Sequence, residues 1–198
     1  RTAGVEVDAD SFVLDRTSTA IARIGESGDA AYDFDIDWRV PRDVDLGGAP
    51  VVHVGSIGCF IEPGASAVLA FLRRVAGRTR VTFDPNIRPA LIADQAAAVR
   101  VVEEIAGLAE VVKLSDEDAA WLYPADGPDA VVDRLLAQGA AVAAITLGGD
   151  GALIGSRTAR ARAATSRARP RPGWRSTPAT SSSGRGCTSA SSTSSRRR

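Results

Sequence analysis

An α/β fold with a parallel sheet covered by helices is predicted by three observations. Between Val51 and Leu147, short β-like runs alternate with stretches of helical periodicity. The β-like runs are continuously apolar, as strands buried on both faces are. Polar side chains crowd directly behind one of them, in Phe83-Asp84-Pro85-Asn86-Ile87-Arg88-Pro89. Open α/β sheets bind ligands at the carboxyl ends of their strands, so this segment is the first candidate for a site.

The elements follow in order. Thr17 to Ile24 and Ala30 to Trp38 read as two strands around the turn Gly25-Glu26-Ser27-Gly28. In the second, Tyr32, Phe34, Ile36 and Trp38 alternate with Asp33, Asp35 and Asp37, which predicts a half-buried strand with one apolar and one acidic face. Val51 to Val54 is a short buried strand ended by Gly55-Ser56. Ala65 to Ala76 is helical through Val68, Leu69, Leu72 and Val75. A strand over 80–83, a helix over 96–106 and a strand over 111–114 come next. Ser115 caps a helix that runs to Leu122, with Asp116, Glu117 and Asp118 in its first turn. A helix over 130–138 closes at Gly139, and a strand occupies 141–147.

The zero net charge of the 198 residues conceals two unlike parts. Residues 155–198 hold eleven Arg and no Asp or Glu, which leaves 24 acidic and 13 basic residues before them, a net of −11. Beyond Gly155 the only aromatic is Trp174, and Val, Ile, Leu and Phe do not occur. Such a segment cannot offset its chain entropy by burial and is expected to be disordered. The predicted organisation is a body over 1–154, its lid-like strands within 12–40, and a basic low-complexity tail over 155–198.

Cys59 and Cys187 lie in different compositional zones, so a disulfide framework is not expected, and the acidic body reads as cytoplasmic. Cys59 reads as a small buried hydrophobe. No apolar run has the length of a membrane span. One histidine and two cysteines supply neither a Ser/His/Asp set nor a zinc set. His53, set among valines, reads as a satisfied core residue.

Two further segments carry candidate chemistry. Lys113, the only lysine, ends a strand that faces a helix N-terminus, a fitting position for a phosphate contact. Thr146-Leu147-Gly148-Gly149-Asp150-Gly151 follows a β run. Taken alone it reads first as a tight hairpin turn and second as a loop whose glycines admit phosphate to backbone N–H groups. It is neither a Walker loop nor a dinucleotide fingerprint.

Together these segments resemble the PfkB-type, ribokinase-like carbohydrate kinases, in particular their fructokinase branch. Asp84-Pro85-Asn86-Ile87-Arg88 is similar to the family's D-P-N-x-R signature. Residues 112–118 are similar to its K-x-S/N-x-x-E segment, and residues 145–152 to its T-x-G-x-x-G nucleotide loop. The three occur in the family's order. The resemblance implies a ribokinase-like sheet flanked by helices with a small β lid over the sugar. It also implies ATP-dependent phosphorylation of a fructose-like sugar with Mg2+ bridging the phosphates. Asn86 and Arg88 would lie at the sugar or phosphate. Lys113, Ser115, Thr146, Gly148, Gly149 and Gly151 would lie at the nucleotide, and Asp118 would help to hold the metal. Ser115 and Asp118 stand where the family usually has Asn and Glu. Asp84 orients its turn and is not the base. The strands from Thr17 to Trp38 suit either a lid or the contact of a homodimer in the full-length form.

Two family features are missing. The Gly-Gly and Asn segment that binds the sugar is absent, the chain contains no Met and it opens at Arg1, so a truncated start is expected. The G-A-G-D motif that supplies the base falls where the tail has no aspartate. Reading Trp174 to Cys187 one nucleotide earlier permits Ala-Gly-Asp followed by an apolar helix start, though not the motif's first glycine. A frameshifted tail and an inactive chain are therefore expected. Two other readings are a non-catalytic nucleotide or sugar binder, and a nucleic-acid binder acting through the Arg-rich tail.

Overall fold

The computed structural model describes residues 4, 7, 11–12, 14–24, 30–41 and 44–163. The tail expectations from residue 164 onward lie outside them. Two strands near the start, β1 (Thr19–Ile24) and β2 (Ala30–Asp35), pair antiparallel with Ala20 opposite Phe34 and Ala22 opposite Tyr32. The predicted second strand ends early, at Asp35. Its apolar face is not half-buried throughout: Tyr32 is 54% exposed, stacked on Phe34 at 5.8 Å. Ion pairs Arg16–Asp35 and Arg23–Asp33 brace the strands.

The main sheet has six strands in chain order. They are β3 (Val51–Gly55), β4 (Arg80–Asp84), β5 (Val111–Ser115), β6 (Val142–Thr146), β7 (Ala152–Ser156) and β8 (Arg160–Ala163). The first four are parallel, and β7 and β8 turn back antiparallel. The crossovers carry α1 (Gly64–Val75), α2 (Gln95–Leu108), α3 (Asp116–Leu122) and α4 (Pro128–Gln138). When strand order advances steadily, crossovers of a single hand put every helix on one face.

Burial along the strands agrees. Val81, Phe83, Val112, Leu114, Ala143 and Ile145 are at most 1% exposed and form one core with Leu72, Val102, Ile105, Val131 and Leu135 from the helices. Their alternates, Thr82, Val111, Lys113, Val142 and Ala144, are only half-buried. The expected sheet covered by helices is present. Among the described residues, helices cover one of its faces.

The local signals explain the elements. Asp94 caps α2 by accepting from Ala97 N, and Pro128 opens α4. Gly139, at φ 133°, ends α4, where a Cβ would press on the backbone of Gly107. Cys59 is buried as expected, and burial pushes its thiol up to about 12. The sheet runs past Gly155: β8 pairs Arg160 with Gly155 and Arg162 with Leu153. Arg160 and Arg162 reach Asp129 on α4, and Arg160 also reaches Asp133, so basic residues here serve the fold. The expectation of no regular structure from residue 155 does not hold through Ala163.

Candidate active site

The carboxyl ends of β3, β4 and β5 open into one cleft of about 410 Å3, lined by His53, Gly55, Ser56, Asp84, Asn86, Lys113, Ser115 and Asp118. Parallel pairing brings them together. Gly55 faces Asp84 in the ladder, and Ser115 faces Thr146 on β6. Lys113 Nζ donates to Asp84 Oδ2 at 3.1 Å, with both side chains about a third exposed (39% and 33%). The second oxygen, Asp84 Oδ1, is buried and has no hydrogen-bond partner.

Asp118 organises the floor. It is 5% exposed. Its Oδ1 accepts from Ile87 N at 2.8 Å and its Oδ2 from Ser115 N at 3.2 Å. Ser115 Oγ accepts from Asp118 N at 3.0 Å, which completes a capping box at the start of α3. One carboxylate thus ties the Asp84–Arg88 turn to the α3 N-terminus. Each of its oxygens accepts one backbone N–H, and Asp84 brings a second carboxylate with one unpartnered oxygen.

Among the described residues, two that are not glycine have left-handed backbone, Ser56 at φ 57° and Asn86 at φ 45°, and both line the cleft. Such strain costs about 1–3 kcal/mol per residue and collects where a site demands it. Gly55 is needed for a different reason: a Cβ there would stand 2.5 Å from the Asp84 carbonyl oxygen.

Of the residues singled out from the sequence, Asn86, Lys113, Ser115 and Asp118 meet in this cleft. Arg88 does not line it. It is exposed, and its Nη1 donates to Ile87 O at 2.9 Å. Thr146 lies on the neighbouring strand end, its Oγ1 donating to Leu114 O at 3.4 Å. Gly148, Gly149 and Gly151 form the turn from β6 to β7, with Gly148 at φ 54° and Gly151 at φ 97°. Leu147 N donates to Gly151 O at 2.7 Å and Asp150 N to Leu147 O at 3.0 Å, so the hairpin reading of these residues describes their geometry.

Sequence reasoning missed Gly55 and Ser56 and misplaced His53. That histidine is exposed on the edge strand and lines the cleft. The missed signal was the one applied to Phe83–Pro89: polar residues directly after an apolar strand.

A mixed α/β sheet whose polar residues converge at adjacent strand ends has the architecture in which α/β proteins hold small polar ligands. Residues 2–170 match the pfkB family carbohydrate kinases, and the chain belongs to that family. A fructokinase of Rhizobium leguminosarum bv. trifolii is 30% identical over 133 residues, 64% of this chain and 41% of its own length. The fructokinase of Vibrio cholerae O395 in its apo form superposes with a TM-score of 0.63 at 24% identity, over 80% of this chain and 57% of that one. An aminoimidazole riboside kinase from Salmonella enterica, complexed with aminoimidazole riboside and an ATP analog, gives 0.54 at 26% identity, over 60% and 40%. The chain thus spans about two fifths of the curated fructokinase it matches.

Proposed function

We propose that this chain is the nucleotide- and sugar-holding part of an ATP-dependent sugar kinase, acting on the hydroxyl of a fructose-like ketose. The observation that carries the reading is the convergence of Asp84, Asn86, Lys113 and Ser115 at three adjacent strand ends of a pfkB-family chain. Lys113 supplies a fixed cation for phosphate oxygens, and Asn86 both donates and accepts. Thr146 and the Gly148–Gly151 turn border the nucleotide, and Arg88 swings from its own turn to a phosphate. ATP and a cytoplasmic setting follow from the reaction class.

Mg2+ fits the cleft on one ground: Asp84 Oδ1 is buried without a partner beside Lys113. Magnesium needs only one or two carboxylates and takes its remaining ligands from water and phosphate. Asp84 would hold it, and Asp118 would act on it through water or by fixing the turn. The ion supplies charge neutralisation for the phosphates.

Phosphoryl transfer also needs a base for the attacking hydroxyl. Asp84 is paired to Lys113, Asp118 is bound to backbone, and residues 155–198 contain no Asp or Glu. We therefore read the chain as a binder whose turnover is far below that of a complete kinase, with its tail out of frame. Calorimetry with ATP–Mg2+ and a coupled assay with ATP and fructose test this. Binding without turnover is expected. No ATP binding defeats the nucleotide reading, and turnover at an ordinary enzymatic rate defeats the reading of a missing base.

A further inference from the structure

His53 is the sole histidine of the chain and stands at the wall of the cleft on edge strand β3. Its ladder partner on β4 is Thr82. His53 Nδ1 and Thr82 Oγ1 are 2.9 Å apart. Thr82 Oγ1 also lies 3.5 Å from Val52 O, as donor. A hydroxyl has a single proton and a carbonyl has none to give. One arrangement serves both contacts at once: the Thr82 proton goes to Val52 O, and the Thr82 oxygen accepts from Nδ1–H. In the neutral ring Nε2 then keeps its lone pair. Nε2 points along β3 toward the strand's carboxyl end, since a Cβ on Gly55 would come within 3.4 Å of it.

This lone pair is a neutral acceptor at the cleft, alongside that of Asn86. Lys113 is donor only. One oxygen of Asp84 is taken by Lys113, and both oxygens of Asp118 are taken by backbone. A neutral acceptor beside carboxylates suits a donating hydroxyl and repels a phosphate oxygen.

We propose that His53 binds substrate as a tautomer-locked acceptor. Thr82 positions it with the proton on Nδ1, and Nε2 takes a hydrogen bond from a carbohydrate hydroxyl in the cleft. The choice of a carbohydrate rests on the sugar-kinase reading, whereas the tautomer does not.

The sole histidine makes the test direct. Untagged, 15N-labelled protein is examined by long-range proton–nitrogen NMR at about pH 8, where an ordinary histidine is neutral. Nδ1 is expected to give a protonated-type shift and Nε2 an unprotonated-type shift. Thr82→Val should release the ring to the other tautomer, and Thr82→Ser should retain it. Fructose, ribose and glycerol are then titrated, and at least one should move Nε2 in the wild-type chain and not in Thr82→Val. A proton on Nε2 in the unliganded wild type overturns the proposal, as does an Nε2 signal that none of the three polyols moves. Calorimetry with ATP–Mg2+ on the same sample reports separately on the kinase reading. Its failure would sink that reading while leaving the tautomer result intact.

Discussion

At the scale of single residues, the cleft is governed by which polar atoms are already satisfied. Asp118 is the clearest case, because its oxygens close two backbone donors from different elements. Asp118→Ala leaves the buried Ile87 N–H and the part-buried Ser115 N–H without their partners. Unsatisfied buried donors cost about 1–3 kcal/mol each, so chemical denaturation should show a loss of about 2–5 kcal/mol. Lys113→Met removes a charge-assisted contact of about 1.5–3 kcal/mol. ATP–Mg2+ affinity by calorimetry should fall by roughly ten- to a hundredfold. Cys59 contributes to alkaline behaviour. Burial raises its thiol to about 12 in the folded state, above the ordinary value of about 8.5 in an unfolded chain. The stability linked to this shift is complete below about pH 8.5 and is lost progressively as pH climbs toward about 12. In a Cys187→Ser background, Cys59→Ala should flatten the alkaline fall in thermal midpoint that the Cys59 chain shows above about pH 8.5.

At the scale of elements, capping and close approach place the side chains. Ser115→Ala removes one half of the α3 capping box and should cost about 1 kcal/mol. That is less than the cost of Asp118→Ala, because Ser115 satisfies one donor and Asp118 two. Chemical denaturation of the two variants side by side gives the ranking. The segment after β2 is held differently. Trp38 Nε1 donates to Gly58 O at 2.8 Å, and its ring lies against Gly64 at the start of α1, where a Cβ would overlap it. Gly64→Ala should therefore unseat Trp38. In a Trp121→Phe, Trp174→Phe background the emission of Trp38 should shift to the red while helix content is kept. Much at this scale is legible in the chain. Ser115 before three acidic residues announces a cap, and Gly139 after an apolar helix announces its end. The early end of β2 at Asp35 is not legible, since the alternation continues to Trp38 while the indole leaves the strand to dock on two glycines.

For the molecule as a whole, the decisive feature is a sheet that helices cover on one face among the described residues. Val51, on edge strand β3, is 46% exposed, and Ile154 is 41% exposed. An open edge beside apolar surface invites pairing between chains. Val51→Lys should lower concentration-dependent association in light scattering and leave the thermal midpoint nearly unchanged. Among the described residues no helix is long and apolar enough to cross a membrane.

The order of elements, the capping of α3, the burial of Cys59 and the family were determined by the sequence itself. Each rests on local chemistry, either a periodicity, a cap or a short run of polar residues behind a strand. Asn86, Lys113 and Ser115 could be chosen from the chain because each lies at or just beyond the carboxyl-terminal half of an apolar strand. Their partners could not. The pairing of Lys113 with Asp84, the engagement of Asp118 with Ile87 and the placing of His53 at the cleft wall depend on the register of β3, β4 and β5. Register joins residues some thirty positions apart, and no local pattern encodes it. The same holds for the open face of the sheet. An apolar strand has the same composition whether one face is covered or two, and only the packing of the helices decided which side meets solvent.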